Sequence, residues 1–368
     1  MAATLRAAGR ELDDVIAAAG MRTRIEKVKK YRKAALKGLE WLAHQLKEDG
    51  SYGSSVPDLA SYYKSPWLYL IGGRNDLAYR VLGHIKQQFS RTDGDFTTGP
   101  GFKTADPALA EYCPYMNTWI AMAAQKLGRF DIAQPAYGFV RKFFHEERGG
   151  FTIHSPYNQG DNILDVFITS HLGLACLYFG DIERARRAGD FLLSTFEQQP
   201  DRGFGLFLRV DNDGSLITDF PKEQAVFHVV ETQEPLQLYF FIGYPIGYLA
   251  KLYLATAERT YLEGARAYLN FARSTDERLF NFFCSHKVAW GASVVSRITA
   301  DSAAEAVASR IGDYLVSIQD GNGGWLLDQP VTTCFDQTAE IALWLLELAA
   351  GLGCSALETV CTPGWEAT

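Results

Sequence analysis

Acidic residues one helical turn apart occur twice in stretches that are otherwise apolar: Asp161 with Asp165 in "DNILDVFITSHLGLACLYFG", and Asp336 with Glu340 in "DQTAEIALWLLELAAG". Helical positions i and i+4 share a face, so each pair directs two carboxyl groups the same way. In surroundings of low dielectric such groups take different pKa values, one serving as acid and the other as base. That chemistry suits proton transfer in a cyclisation or isomerisation, and equally general acid/base attack on a glycosidic bond. Two imidazoles join them: His154 in "GGFTIHSPYNQGDN", with Tyr157 and Asn158 beside it, and His286, followed by Lys287, at the head of another apolar stretch. The candidate catalytic groups are therefore Asp161, Asp165, Asp336, Glu340, His154 and His286. His171 falls off the Asp161/Asp165 face and is expected to be a core histidine.

The same spacing rule supplies candidate substrate contacts. It aligns Asp58 with Tyr62, Tyr112 with Tyr115 and Trp119, Gln233 with Gln237, and His286 with Trp290, while Lys64, Tyr157 and Tyr239 complete the set. Buried polar groups cost about 1 to 3 kcal/mol or more when unpaired, so polar residues heading apolar helices need a reason. Helix capping is one reason, and Asp58, Asp161 and Asp336 sit where N-caps belong. For Asp165 and Glu340, one turn further in, the alternative is a buried hydrogen bond to a neighbouring element. Tyr63, Trp67, Phe167 and Tyr244 extend the tyrosines and tryptophans into an aromatic wall, most of which core packing must use. Such a wall suits a polyene or carbocation through its π faces, and a sugar ring by stacking.

These residues need a scaffold, and the sequence repeats one. A glycine-aromatic joint occurs at Asp49–Gly53 (DGSYG), Asp93–Phe96 (DGDF), Gly149–Phe151 (GGF), Arg202–Gly205 (RGFG) and Gly323–Trp325 (GGW). The intervals are roughly 44 to 55 residues except the last, which is more than twice as long, so Glu277–Lys287 (ERLFNFFCSHK) occupies the place of a further joint. Before the joints the spacing predicts amphipathic helices over roughly 25 to 47, 76 to 90, 131 to 145, 181 to 197, 260 to 273 and 301 to 319. After them come helices apolar nearly all round, which belong inside something. The alternation predicts an all-α ring of six hairpins, inner helices lining an axis and outer helices wrapped around them. The starts of the inner helices then surround a mouth, and the third and sixth units stand opposite, setting Asp161/Asp165 across the axis from Asp336/Glu340. The glycines let the chain reverse and the aromatic fills the space between hairpins, so Trp325 is expected to be structural.

At "Gln319-Asp-Gly-Asn-Gly-Gly-Trp325", and more loosely over Gln45–Tyr52, the chain resembles the terpenoid cyclase and protein prenyltransferase α/α toroid superfamily, whose cyclases repeat a Q-x(2-5)-G-x-W element. The resemblance implies an (α/α)6 toroid with a central cavity. Sugar 2-epimerases and several glycan-degrading enzymes look similar at this level. The DxDD motif of class II cyclases is absent; "Asp211-Asn-Asp213-Gly" comes nearest, but it lies between "FGLFLRV" and "SLITDF" and reads as a short β-hairpin within an insertion of the fourth repeat. Class I DDxxD spacing and the prenyltransferase zinc-ligand pattern are also missing. The insertion is long enough to act as a lid.

Composition narrows the function further. The net charge of -7 and a pI near 5.6 lack the basic footprint of a nucleic-acid binder, and Lys27–Lys33 reads as a solvated helix face. No apolar run is long enough to span a membrane, and the N-terminal residues lack the apolar core of a secretory signal. Six cysteines without CxxC spacing read as reduced thiols of a cytoplasmic protein, with Cys354 and Cys361 able to pair. The expected organisation is a helical extension over 1–24, the barrel over 25–353 and a tail over 354–368. The expected function is a small-molecule enzyme, a cyclase or isomerase/lyase acting on an apolar terpenoid- or polyketide-like substrate, as monomer or homodimer, with no cofactor or metal. A carbohydrate epimerase or glycoside hydrolase is the alternative, and a non-catalytic ligand-binding toroid a third.

Overall fold

The structure is a computed structural model, describing residues 2–53, 58–157, 159–160 and 162–360, with side chains from 20 to 353. Asp161 and Asn158 fall outside the described residues, as do Cys361 and the side chain of Cys354. Cys113, Cys176, Cys284 and Cys334 are free thiols.

Two four-residue helices, Pro107–Ala110 and Ala225–His228, lie in connections. The remaining helices of the described residues are α1 (Ala2–Gln45), α2 (Ser65–Ile71), α3 (Asn75–Phe89), α4 (Tyr115–Lys126), α5 (Phe130–Arg141) and α6 (Val166–Phe179), then α7 (Ile182–Glu197), α8 (Phe240–Thr256), α9 (Arg259–Ser274), α10 (His286–Thr299), α11 (Ser302–Ser317) and α12 (Val331–Val360). Helix α1 runs unbroken past residue 24, and α12 past residue 354. No described helix is long and apolar enough to cross a membrane.

Side-chain patterning decides which helices are interior. Helix α6 is apolar on every side and is buried from Val166 to Cys176, whereas α7 turns Glu183 and Asp190 to solvent and buries Ala185, Ala188 and Leu192. Each even-numbered helix packs against the next, from α2 through α12, and α12 packs against α2. The inner ring is closed, with α6 and α12 on opposite sides, and the odd-numbered helices lie outside it. This is an (α/α)6 toroid.

The tight pairs are offset by one helix from the expected hairpins. α3 packs on α2, α5 on α4, α7 on α6, α9 on α8 and α11 on α10, while α1 closes the ring on α12. Links within pairs are short, such as Gly72–Arg74, and short links force antiparallel neighbours together. The glycine-aromatic joints are longer and carry the chain from one pair to the next.

The last joint also closes the ring. Gly323 has φ +112, and a Cβ there would lie 2.6 Å from the Lys37 carbonyl oxygen of α1. The Gln319 amide donates to the carbonyls of Ala34 and Gly323, both at 2.8 Å, and the buried Trp325 indole donates to Leu315 at 2.8 Å. Trp325 thus ties α11 and α12 to α1.

The fourth-repeat insertion holds the expected short hairpin, its turn at Asp211–Gly214 closed by a bridge between Val210 and Leu216. Its first run also pairs elsewhere: β1 (Leu164–Asp165) pairs antiparallel with β3 (Arg209–Val210), and β2 (Gly205–Phe207) with β4 (Val229–Glu231). Leu206, Leu208 and Val210 are buried by this double pairing, whereas the return run reaches Pro221, which has no N–H to give a ladder.

Candidate functional site

The first turns of the inner helices, and the residues just before them, enclose a cavity of about 220 Å³. Lys64 reaches it from before α2, Tyr115 from α4, Phe167 from α6, Phe241 from α8, Lys287 from α10, and Asp336 and Glu340 from α12. Helix α12 begins at Val331, so Asp336 is an interior helical residue and not the N-cap its position suggested. One turn separates it from Glu340, and both carboxyl groups face the cavity as the i, i+4 spacing requires.

One wall is a chain of charged groups. Lys64 Nζ lies 2.9 Å from Asp336 and forms a close ion pair with Glu340; Lys287 Nζ lies 2.7 Å from Glu340 Oε1, which also accepts the Trp344 indole N–H at 2.6 Å. All four charged side chains are buried. The His286 Nδ1 is 2.5 Å from the Phe283 carbonyl, so it carries the proton, and the bare Nε2 faces Lys287 Nζ at 3.0 Å.

Position in the chain sets each protonation state. Burial opposes ionisation of Glu340, but Lys287 and Lys64 outweigh it and hold this carboxyl well below the usual carboxylate range. Burial pulls Lys64 down, but Asp336 and Glu340 together raise it above an ordinary lysine. Burial likewise pulls Lys287 down, and with a single carboxylate in contact and Lys64 nearby it settles at about 8. Burial pushes Asp336 up, only partly opposed by Lys64. His286 is pushed down to about 4 by burial and by Lys287, and is neutral. At the ends of the chain, Asp336 is thus raised above an ordinary aspartate and Lys287 lowered below an ordinary lysine.

The facing wall is aromatic. Tyr112, Phe167 and Phe241 meet edge-on or tilted, with ring centroids 4.9 to 5.9 Å apart. Deeper along the axis Trp119, Trp290 and Trp344 close the ring's interior, Trp344 lying 5.8 Å from Trp119 and 4.7 Å from Trp290. Phe227 of the fourth-repeat insertion and Leu238, just before α8, form a roof with Leu109. Among the described residues no group of three or more His, Cys, Asp or Glu side chains is placed to hold a metal ion.

Other sequence candidates stand elsewhere. Asp165 does not line the cavity. The chain is extended up to it, so it is the N-cap of α6, accepting from Ile168 N–H at 3.0 Å, and its other oxygen lies 3.6 Å from Arg209. Burial raises Asp165 to about 6. Arg209, which no sequence pattern singled out, also pairs with Glu111 at 2.6 Å and lies 3.2 Å from His228 Nε2, fastening the insertion to the start of α6. His154 is exposed and pairs with Glu111 at 3.2 Å. Tyr157 lies tilted against His145, ring centroids 4.2 Å apart. Asp58 caps a 3-10 turn and binds Thr104 and Ala105, each at 2.8 Å. The Tyr62 hydroxyl accepts the Tyr52 N–H, and Gln237 clamps the backbone of Glu231 at 2.7 Å while Gln233 is exposed. Tyr239 is buried against Phe282, and Trp290 lies on the axis. His171 is buried among Tyr115, Trp119 and Tyr244, and burial keeps it neutral. Of the residues singled out, Asp336, Glu340, His286, Lys64, Tyr112, Tyr115 and Phe167 come together at the cavity, with Lys287 beside His286; Asp106 and Gln337 are additions.

No family model and no curated protein matches this chain. Solved structures do. D-mannose isomerase is similar over 86% of this chain and 96% of its own, with a TM-score of 0.64 at 12% identity. The cellobiose 2-epimerase of Bacillus thermoamylovorans is similar over 87% and 98%, TM-score 0.59, 14% identity. A type II terpene cyclase from Scytonema, in complex with geranylgeranyl dihydroxybenzoate, is similar over 89% and 99%, TM-score 0.56, 12% identity. The likeness is one of fold. At these identities the toroid is shared, and the site must be read from its own residues.

Proposed function

We propose that the chain is an acid/base enzyme, an isomerase or cyclase, acting on a compact apolar molecule that carries a carbonyl or related oxygen. The observation that supports this is the buried chain Asp336–Lys64–Glu340–Lys287 opening onto the aromatic wall of Tyr112, Phe167 and Phe241. In this reading Lys287 places its ammonium on the substrate oxygen as electrophile and acid. Asp336, a stronger base than an ordinary aspartate because of burial, removes a proton from the adjacent carbon and returns it to another. Glu340 stays ionised and holds both lysines. An ammonium near pKa 8 is far too weak an acid to protonate an isolated alkene, so the site favours proton shifts next to a carbonyl over the protonation that starts polyene cyclisation.

A carbohydrate isomerase is the second reading. The polar groups of Asp106 and Gln337 at the cavity and the toroids of the mannose isomerase and the epimerase favour it. The aromatic wall and the roof of Phe227 and Leu238 favour the apolar substrate. A turnover screen followed by mass spectrometry, with terpenoid and polyketide-like carbonyl compounds set against aldoses, separates the two. Asp336→Asn is expected to lower kcat by about 100- to 10,000-fold on the converted class while the far-ultraviolet circular dichroism is unchanged. Conversion of aldoses alone would replace the first reading with the second, and ligand binding without any turnover would leave a binding protein.

A further inference from the structure

We propose that Lys287 is a covalent catalytic amine that captures the substrate carbonyl as a protonated imine; this rests on the cavity being the substrate site argued above. Two lysines line the cavity, and their surroundings differ. Lys64 is held between two carboxylates, Asp336 at 2.9 Å and Glu340 in close contact, which fixes it as an ammonium. Lys287 has one carboxylate oxygen, Glu340 Oε1 at 2.7 Å, and shares it with the Trp344 indole. Its other polar neighbour, His286 Nε2 at 3.0 Å, is a neutral acceptor because the Nδ1 proton is committed to Phe283. Those two acceptors leave one position on nitrogen for the cavity. The rest of its shell is aromatic, with Phe240 and Tyr244 ring centres at 4.9 and 5.0 Å. A buried amine beside a second cation is the setting that turns lysine into a nucleophile.

The groups facing Lys287 are Glu340 and Asp336 of α12, Lys64 before α2, His171 of α6, Tyr244 of α8, and Cys284 and His286 at the head of α10. Their balance leaves about 300-fold more free amine at neutral pH than an ordinary lysine has, the ratio that a fall from 10.5 to about 8 implies. The nitrogen lone pair adds to the carbonyl carbon and the C=O π pair moves to oxygen, which takes up protons and leaves as water while C=N forms. Ammonium and carbonyl thus become iminium and water, with no change of oxidation state. The iminium keeps the positive charge, so Glu340 and the aromatic faces keep their partner. Asp336 then removes a proton from the adjacent carbon, whose electron pair forms the C=C bond of an enamine.

The test is reductive trapping on the full chain with benzaldehyde and sodium cyanoborohydride, read by peptide mapping in a mass spectrometer. Lys287 is expected to be labelled at least about tenfold faster than the exposed Lys29, with a half-maximal rate near pH 8, and Lys287→Arg to lose this label. Labelling of Lys29 with Lys287 untouched, or reaction of Lys287 only where ordinary lysines react, would overturn the proposal; the pH series on the unmodified protein decides this even if the variant fails to fold. Benzyl alcohol, which has the ring without the carbonyl, is measured alongside by tryptophan fluorescence. Quenching without an adduct removes the covalent role alone, and absence of both removes the apolar site as well.

Discussion

Glu340 collects three donors on one carboxylate: the ammonium groups of Lys64 and Lys287 and the indole of Trp344. Replacing it with Gln leaves two buried cations with only Asp336 between them, and breaking a buried pair in this way costs about 3–5 kcal/mol. Denaturant unfolding of Glu340→Gln is expected to show that loss. Activity should change with pH at two places. Near 8 it falls with rising pH where Lys287 acts as an ammonium acid, and rises where its free amine captures the carbonyl; at the acid end it falls as Asp336 gains a proton, above the range of an ordinary aspartate. A pH–kcat profile with no change near 8 would take Lys287 out of the reaction. The carboxylate pair was legible from spacing alone, because one turn of helix is a local property. Lys64 was legible only as a cation near a helix start. Its partner Glu340 lies 276 residues away, and nothing local in a sequence specifies such a contact.

Helix periodicity carried the elements well, and connection chemistry carried them less well. The outer helices fall within a few residues of their expected spans, apart from the longer α1 and the shorter α5, because amphipathic patterning is strong there. The pairing offset is not marked by the Gly-aromatic joints, because plainer and shorter links such as Gly72–Arg74 decide which helices touch. Gly323→Ala would put a Cβ 2.6 Å from the Lys37 carbonyl at a φ of +112; a loss of about 1–3 kcal/mol, seen as a lower Tm, is expected. The roof depends on Arg209, which joins β3 to Asp165 and Glu111. Arg209→Met leaves buried Asp165 without a counter-charge and should destabilise by about 3–5 kcal/mol at neutral pH. Asp165 stands at about 6 with Arg209 holding it down against burial, so the variant should lift it further; the penalty should shrink as pH falls and Asp165 takes up its proton, beginning above about 6, in unfolding curves taken across the range.

At the scale of the whole molecule, closing six helix pairs into a ring brings the starts of all the inner helices to one end, which is how residues as distant as Lys64 and Glu340 come to share a cavity. The repeats made the ring legible, and with it the opposition of α6 and α12. They did not reveal what α6 presents across the axis: Phe167 lines the cavity, and Asp165 turns to its own helix and to Arg209. The toroid is shared with enzymes as different as an isomerase, an epimerase and a terpene cyclase, so the architecture supplies a chamber and the side chains at its rim supply the chemistry. Proton exchange tests that division most directly. The protein is incubated in D₂O with apolar ketones and enones and, separately, with aldoses, and deuterium at carbon is measured by mass spectrometry. Deuterium entering the apolar carbonyl compounds with the unmodified chain, and not with Asp336→Asn, is the predicted result; deuterium entering only the aldoses, or entering equally with the variant, would contradict the account.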